Sequence, residues 1–153
     1  MNPLPKVQIA EIGEAWSSYR LATLGYESYR TRTGFASVDL RVVAPARFDV
    51  QVKTMTTPSW KIVSGEVPPL ARHDLLYFLL LVDNAGLVDR ALVVPSTVLI
   101  PNLVKIHDAW RAKSPQAKPW GMTIKHPHAH PELDLSQDWL AGHEDRWDLL
   151  PHV

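Results

Sequence analysis

The chain has 153 residues, 16 basic against 16 acidic side chains, and no cysteine, a length at which one domain buries a core without disulfides or a structural metal. The lack of cysteine excludes thiolate metal sites, thiol catalysis and a disulfide framework, and agrees with a reducing, cytoplasmic setting. Zero net charge withholds the overall basic signature of many nucleic-acid binders, yet residues 1–72 hold nine Lys and Arg against six Asp and Glu, while residues 73–153 hold seven against ten.

Ile9 to Leu24 reads as a helix, with Ile9, Ile12, Trp16 and Tyr19 in three- and four-residue steps and Gly25 placed to end it. Glu14 falls off that stripe, beside Ala10, Ser17 and Leu21, a second strip of small and apolar groups from which a carboxylate can face a sheet closely. Glu11 is its rival, and either glutamate reads equally as a solvated charge near a helix N-terminus. Tyr26 to Arg32 has β-forming residues and is expected to be the first strand.

Val38 to Thr54 is the most informative stretch. Val38, Leu40 and Val42 alternate with Asp39, Arg41 and Val43, and Phe48, Val50 and Val52 alternate with Asp49, Gln51 and Lys53, the period of two strands of a hairpin. Ala44-Pro45-Ala46-Arg47 is the turn between them. Side chains two apart share a face, so Gln51 and Lys53 point one way, and Asp39 joins them if the register allows. The plain alternative is the solvated face of an amphipathic hairpin.

From Met55 to Arg72 three prolines argue against a long element, with room for a short strand at Trp60 to Val63. Leu75 to Val82 and Arg90 to Val94 are unbroken apolar runs, as in strands covered on both faces, separated by the turn Asp83-Asn84-Ala85-Gly86. The longer run is far short of the roughly 20 residues of a membrane helix, and the N-terminal residues lack the pattern of a signal peptide, so a soluble chain without a membrane partner is expected. Pro101 to Lys113 is expected as a helix beginning at its proline, Gly121 to Lys125 as a strand, and Ser136 to Leu149 as a helix with Trp139, His143, Trp147 and Leu150 on one stripe.

An aspartate on one strand and Gln51-Val52-Lys53 on its hairpin partner resembles the PD-(D/E)xK nuclease superfamily, in a glutamine-x-lysine variant. Val38 precedes Asp39 where the family pattern has proline, and Gln51 stands where glutamate is usual. Helix, strand, hairpin is also that superfamily's opening order, and its first helix often supplies a further acid, a placement that Glu14 resembles. The resemblance implies an α/β, restriction-endonuclease-like fold with a mixed central sheet of about five strands flanked by helices. It covers a core of about residues 9–100 in a single nuclease-like domain, 1–153, with a C-terminal helical extension over about 101–153.

The implied activity is Mg2+- or Mn2+-dependent hydrolysis of phosphodiester bonds in nucleic acid, with DNA the first expectation and a homodimer allowed. Asp39, Gln51, Lys53 and Glu14 would be the catalytic group, and Asp39, Gln51, Val52 through its carbonyl, and Glu14 the metal ligands. A member of the same fold acting as a noncatalytic binding or assembly module is the alternative.

His126, His128 and His130 alternate with Pro127, Ala129 and Pro131, so an extended chain would set three imidazoles on one side for a transition metal. The prolines oppose strand pairing and no fourth ligand is fixed by spacing, which favours a solvated loop. No G-x-S-x-G turn and no G-x-x-x-x-G-K-[ST] loop occurs, removing serine-nucleophile hydrolases and P-loop enzymes.

Overall fold

The structure is a computed structural model that describes residues 2–32, 38–57, 59–64, 70–113, 121–125 and 138–153. Its elements run α1 (Lys6–Thr23), β1 (Glu27–Arg30), β2 (Leu40–Ala44), β3 (Phe48–Met55), β4 (Ser59–Ser64), β5 (Leu75–Val82), β6 (Val88–Pro95), α2 (Ser96–Lys113), β7 (Gly121–Lys125), α3 (Asp138–Ala141) and a single 3₁₀ turn at Trp147–Leu149. Five strands form one sheet in the order β1-β2-β3-β5-β6. The β3–β5 pair is parallel and the other neighbours antiparallel, so the sheet is mixed, as expected. β4 and β7 make a separate antiparallel pair.

Alternation along the strands divides the core in two. Leu40, Val42, Val50, Val52, Phe78 and Val93 face α1 and pack with its Leu21 and Trp16. Tyr77, Leu79, Leu92 and Val94 face the other way, onto Leu99, Ile100 and Leu103 of α2 and Trp60 of β4. Buried on both sides, β5 has the continuous apolar character that its sequence displays. The Trp60 indole N–H donates to the Leu80 carbonyl at 2.9 Å, which fixes β4 to the sheet. Among the described residues no helix is long and apolar enough to cross a membrane.

Four sequence expectations need correction. The helix α1 starts three residues before Ile9, and the stripe it buries is Gly13, Ser17 and Leu21 rather than the one ending in Tyr19, which is 68% exposed. Close packing on a sheet selects the small-residue strip over the more apolar one. β1 is shorter than Tyr26 to Arg32. The helix α2 begins at Ser96, directly after β6, so Pro101 lies inside it instead of opening it; buried Ser96 accepts a hydrogen bond from the Arg72 amide at 3.0 Å.

The C-terminal expectation fails for a clearer reason. In place of a helix to Leu149, α3 stops at Ala141 and Asp145 takes φ 53°. The backbone is wanted elsewhere: the Val93 amide donates to His143 O at 3.0 Å and the Asp145 amide to Ala91 O at 2.9 Å. The tail thus covers the edge of β6, as an exposed sheet edge requires, and buries Leu140 in one core and Leu150 in the other.

Candidate active site

The hairpin register pairs Leu40 with Val50, Arg41 with Asp49 and Val42 with Phe48. The turn holds a cis Ala44–Pro45 bond. The Asp39 amide still donates to Val50 O, at 2.9 Å. One step further the backbone ladder gives way to a side chain, and Asp39 Oδ2 accepts the Val52 N–H at 2.7 Å. Strand N–H groups lie in the plane of the sheet, so this carboxylate sits between the two faces and not above one of them. Both faces therefore feel it.

On one face is Lys53, half-buried. Burial lowers its pKa, and the Asp39 carboxylate acts in the opposite direction. Gln51 leaves β3 on the same side as Lys53, two residues away. Val52 between them is buried toward α1.

On the other face is Glu14, brought in by the crossing of α1 over β3. A Cβ at Gly13 would lie 1.7 Å from Thr54 Oγ1 and 2.8 Å from Thr54 Cβ, so only glycine lets the helix approach this closely. The next residue, Glu14, has its pKa raised by burial first and by the Asp39 carboxylate second, with Glu11 adding to this and Arg30 opposing it. Of the two candidate glutamates it is Glu14 that interacts with Asp39. Glu11 is exposed and bonds Arg30 Nη1 at 2.7 Å.

The structure thus gathers Glu14, Asp39 and Lys53 about one end of β3, with Gln51 on the Lys53 side. The oxygens nearby are of the hard type that suits a small dication such as Mg2+ or Mn2+: the Asp39 and Glu14 carboxylates and the Val52 carbonyl, with the Gln51 amide on the face opposite Glu14. Among the described residues no three His, Asp or Glu side chains gather as ligands, so any such ion would rely on neutral oxygens and water. His126, His128 and His130 lie outside the described residues.

The sequence reading missed a second polar cluster on this hairpin. Asp49, only 6% exposed, accepts Arg41 Nε at 3.0 Å on one oxygen and Arg72 Nη2 at 2.9 Å on the other. Arg72 also grips Asp74 through Nε at 3.0 Å and Nη2 at 2.8 Å, which lowers the Asp74 pKa. Arg41 and Asp49 were legible as alternating partners of Asp39 and Gln51, but nothing local in the sequence points to Arg72. No family model, no characterised protein and no solved structure matches the chain.

Proposed function

We propose that the protein is a metal-dependent nuclease of the restriction-endonuclease-like fold, hydrolysing phosphodiester bonds in nucleic acid, with DNA as the first substrate to test. The observation that carries the reading is the placement of Asp39 in the sheet plane, acting on Glu14 from one side and on Lys53 from the other. In this reading Asp39 and Glu14, with the Gln51 amide oxygen and the Val52 carbonyl, hold Mg2+ or Mn2+. When bound, the ion supplies Lewis-acid polarisation of the scissile phosphate. Lys53, half-buried and with its pKa lowered by burial, orients the attacking water, helps to take its proton, and offers positive charge to the phosphate oxygens as negative charge develops. Gln51 orients water without adding a third negative charge, which limits repulsion of the phosphate.

A divalent-metal-dependent cleavage assay on supercoiled, linear duplex and single-stranded DNA and on RNA, run with wild type and Asp39→Ala, tests this. Metal-dependent products from wild type alone support it. Products equal in both proteins, or none on any substrate, reject it.

A noncatalytic binding module of the same fold is the second reading, and one observation favours it. With glutamine at position 51 the described residues bring only two carboxylates to the centre, one fewer than a glutamate-x-lysine strand would bring. Calorimetric titration of Mg2+ into wild type, Asp39→Ala and Gln51→Glu separates the two: no heat that depends on these residues leaves the module as the better account.

A further inference from the structure

The two faces of the sheet are not equally covered. Among the described residues, α2 and Trp60 of β4 pack on β5 and β6, whereas the same face of β1, β2 and β3 carries Tyr29, Arg41, Asp49, Gln51 and Lys53 between the apolar Val43 and Met55. The register lines up Tyr29, Arg41 and Asp49 as one row across three strands. Beside that row an open cleft of about 500 Å³ is lined by Arg41, Arg47, Arg72, Asp49 and Asp74 together with the β2–β3 turn. Arg41 also lines a second hollow of about 430 Å³ with Tyr29, Arg30 and Arg32.

Asp49 does more in this cleft than neutralise itself. Each of its oxygens holds a different guanidinium, so Arg41 and Arg72, side chains with several rotatable bonds, are set in fixed positions facing one opening. A guanidinium has five N–H donors in a planar fork suited to phosphate, and Asp49 meets Arg41 at Nε and Arg72 at Nη2. Arg47, exposed at the hairpin turn, adds a third cation, giving three arginines to two aspartates in the cleft lining.

We propose that Arg41 and Arg72, positioned by Asp49 and joined by Arg47, form a phosphate clamp that holds a nucleic-acid backbone at this cleft. The inference rests on nucleic acid being the partner of the neighbouring centre, but not on cleavage. Asp49 and Lys53 are four residues apart on one face of β3, about 13 Å along the strand. A duplex presents a phosphate on each strand about every 3.4 Å of its axis, so one backbone can engage the clamp while a phosphate a few nucleotides away lies at Asp39 and Lys53. Exposed Tyr29, 57% accessible at the end of the row, offers a ring on which an unpaired base can stack.

The test is fluorescence anisotropy of a fluorescein-labelled oligonucleotide, single-stranded and duplex, in EDTA across a NaCl series. Arg47→Ala and Arg72→Ala are each expected to weaken binding about tenfold and to lower the slope of log affinity against log salt by about 1. Circular dichroism checks folding, and Arg47→Ala, at an exposed turn, remains decisive if loss of Arg72 unfolds the chain by stranding Asp49. Wild-type affinity and slope in a folded Arg47→Ala variant would overturn the clamp, as would no binding by wild type. Inorganic phosphate is the competitor for the other source of the same chemistry. Displacement of the oligonucleotide no greater than by chloride at equal ionic strength supports a backbone site, and stronger displacement that depends on Arg47 makes it a small-anion site and overturns the nucleic-acid assignment. Because no metal is present, failure of cleavage leaves a positive result standing, and a working nuclease that binds without Arg47 or Arg72 loses the clamp alone.

Discussion

Asp39 is the residue on which the site turns, because a side chain that completes a strand ladder is held more firmly than one on the surface. Its Oδ2 accepts the Val52 amide N–H at 2.7 Å. Asp39→Ala and Lys53→Ala are each expected to reduce cleavage by about 10²- to 10⁴-fold, measured as initial rates under saturating Mg2+. Glu14 gives a test that needs no activity. Its folded-state pKa is raised from the usual 4.5, so just above that value the folded chain binds more protons than the unfolded chain and stability falls as pH rises through the window. The deficit persists at neutral pH and vanishes in acid below the ordinary carboxyl pKa. In EDTA, Glu14→Gln should therefore have a higher thermal midpoint than wild type at neutral pH, with the difference closing below about pH 4. A midpoint lower than wild type at neutral pH would mean that the carboxylate has a compensating partner.

At the scale of elements, the crossing of α1 over β3 connects packing to chemistry. Alanine is favoured over glycine in a helix by about 1 kcal/mol, but at position 13 a methyl group would meet Thr54 Oγ1 at 1.7 Å, and overpacking of this kind costs about 1–3 kcal/mol. The clash wins. Gly13→Ala is expected to destabilise in urea and to lower cleavage as well, since the helix must lift Glu14 away from Asp39. Leu79→Ala, fully buried on β5, should cost about 2–5 kcal/mol and mark the difference between core loss and site loss by leaving Mg2+ binding intact in the folded fraction. The hairpin and β5 were legible because period-two alternation and an unbroken apolar run are local signals. The buried stripe of α1 was legible only in part: the strip of Ser17 and Leu21 beside Glu14 could be named, but not that it, with Gly13, would be buried by shape at a close crossing while the more apolar Tyr19 stays outside. The start of α2 at Ser96 was not legible either, since Pro101 is the stronger local start signal, and Arg72 reaches Asp49 only through tertiary folding.

The molecule as a whole is closed by its last sixteen residues, which sequence periodicity presents as a separate helix. His143 and Asp145 pair with Val93 and Ala91 on β6, Tyr26 donates to Pro151 O at 3.0 Å, and Trp147 stacks edge-on against Phe78. The tail therefore runs from the β6 edge to the segment that leads into β1, across the α1 face of the sheet. Fully burying a leucine contributes about 1.5–3 kcal/mol, so Leu140 and Leu150 together supply about 3–6 kcal/mol of a total that for ordinary domains is only about 5–15 kcal/mol. Removing residues 138–153 takes both away, together with three tryptophan and leucine neighbours, and bares the β6 edge to other chains. The truncated protein is expected to lose its cooperative urea transition and to self-associate, seen as higher-order species by light scattering. The double variant Leu140→Ala with Leu150→Ala keeps the backbone pairing to β6, so it should be strongly destabilised yet stay monomeric relative to wild type. A truncated chain that unfolds cooperatively at the wild-type midpoint would show instead that the sheet, α1 and α2 are sufficient, and that the tail is an appendage.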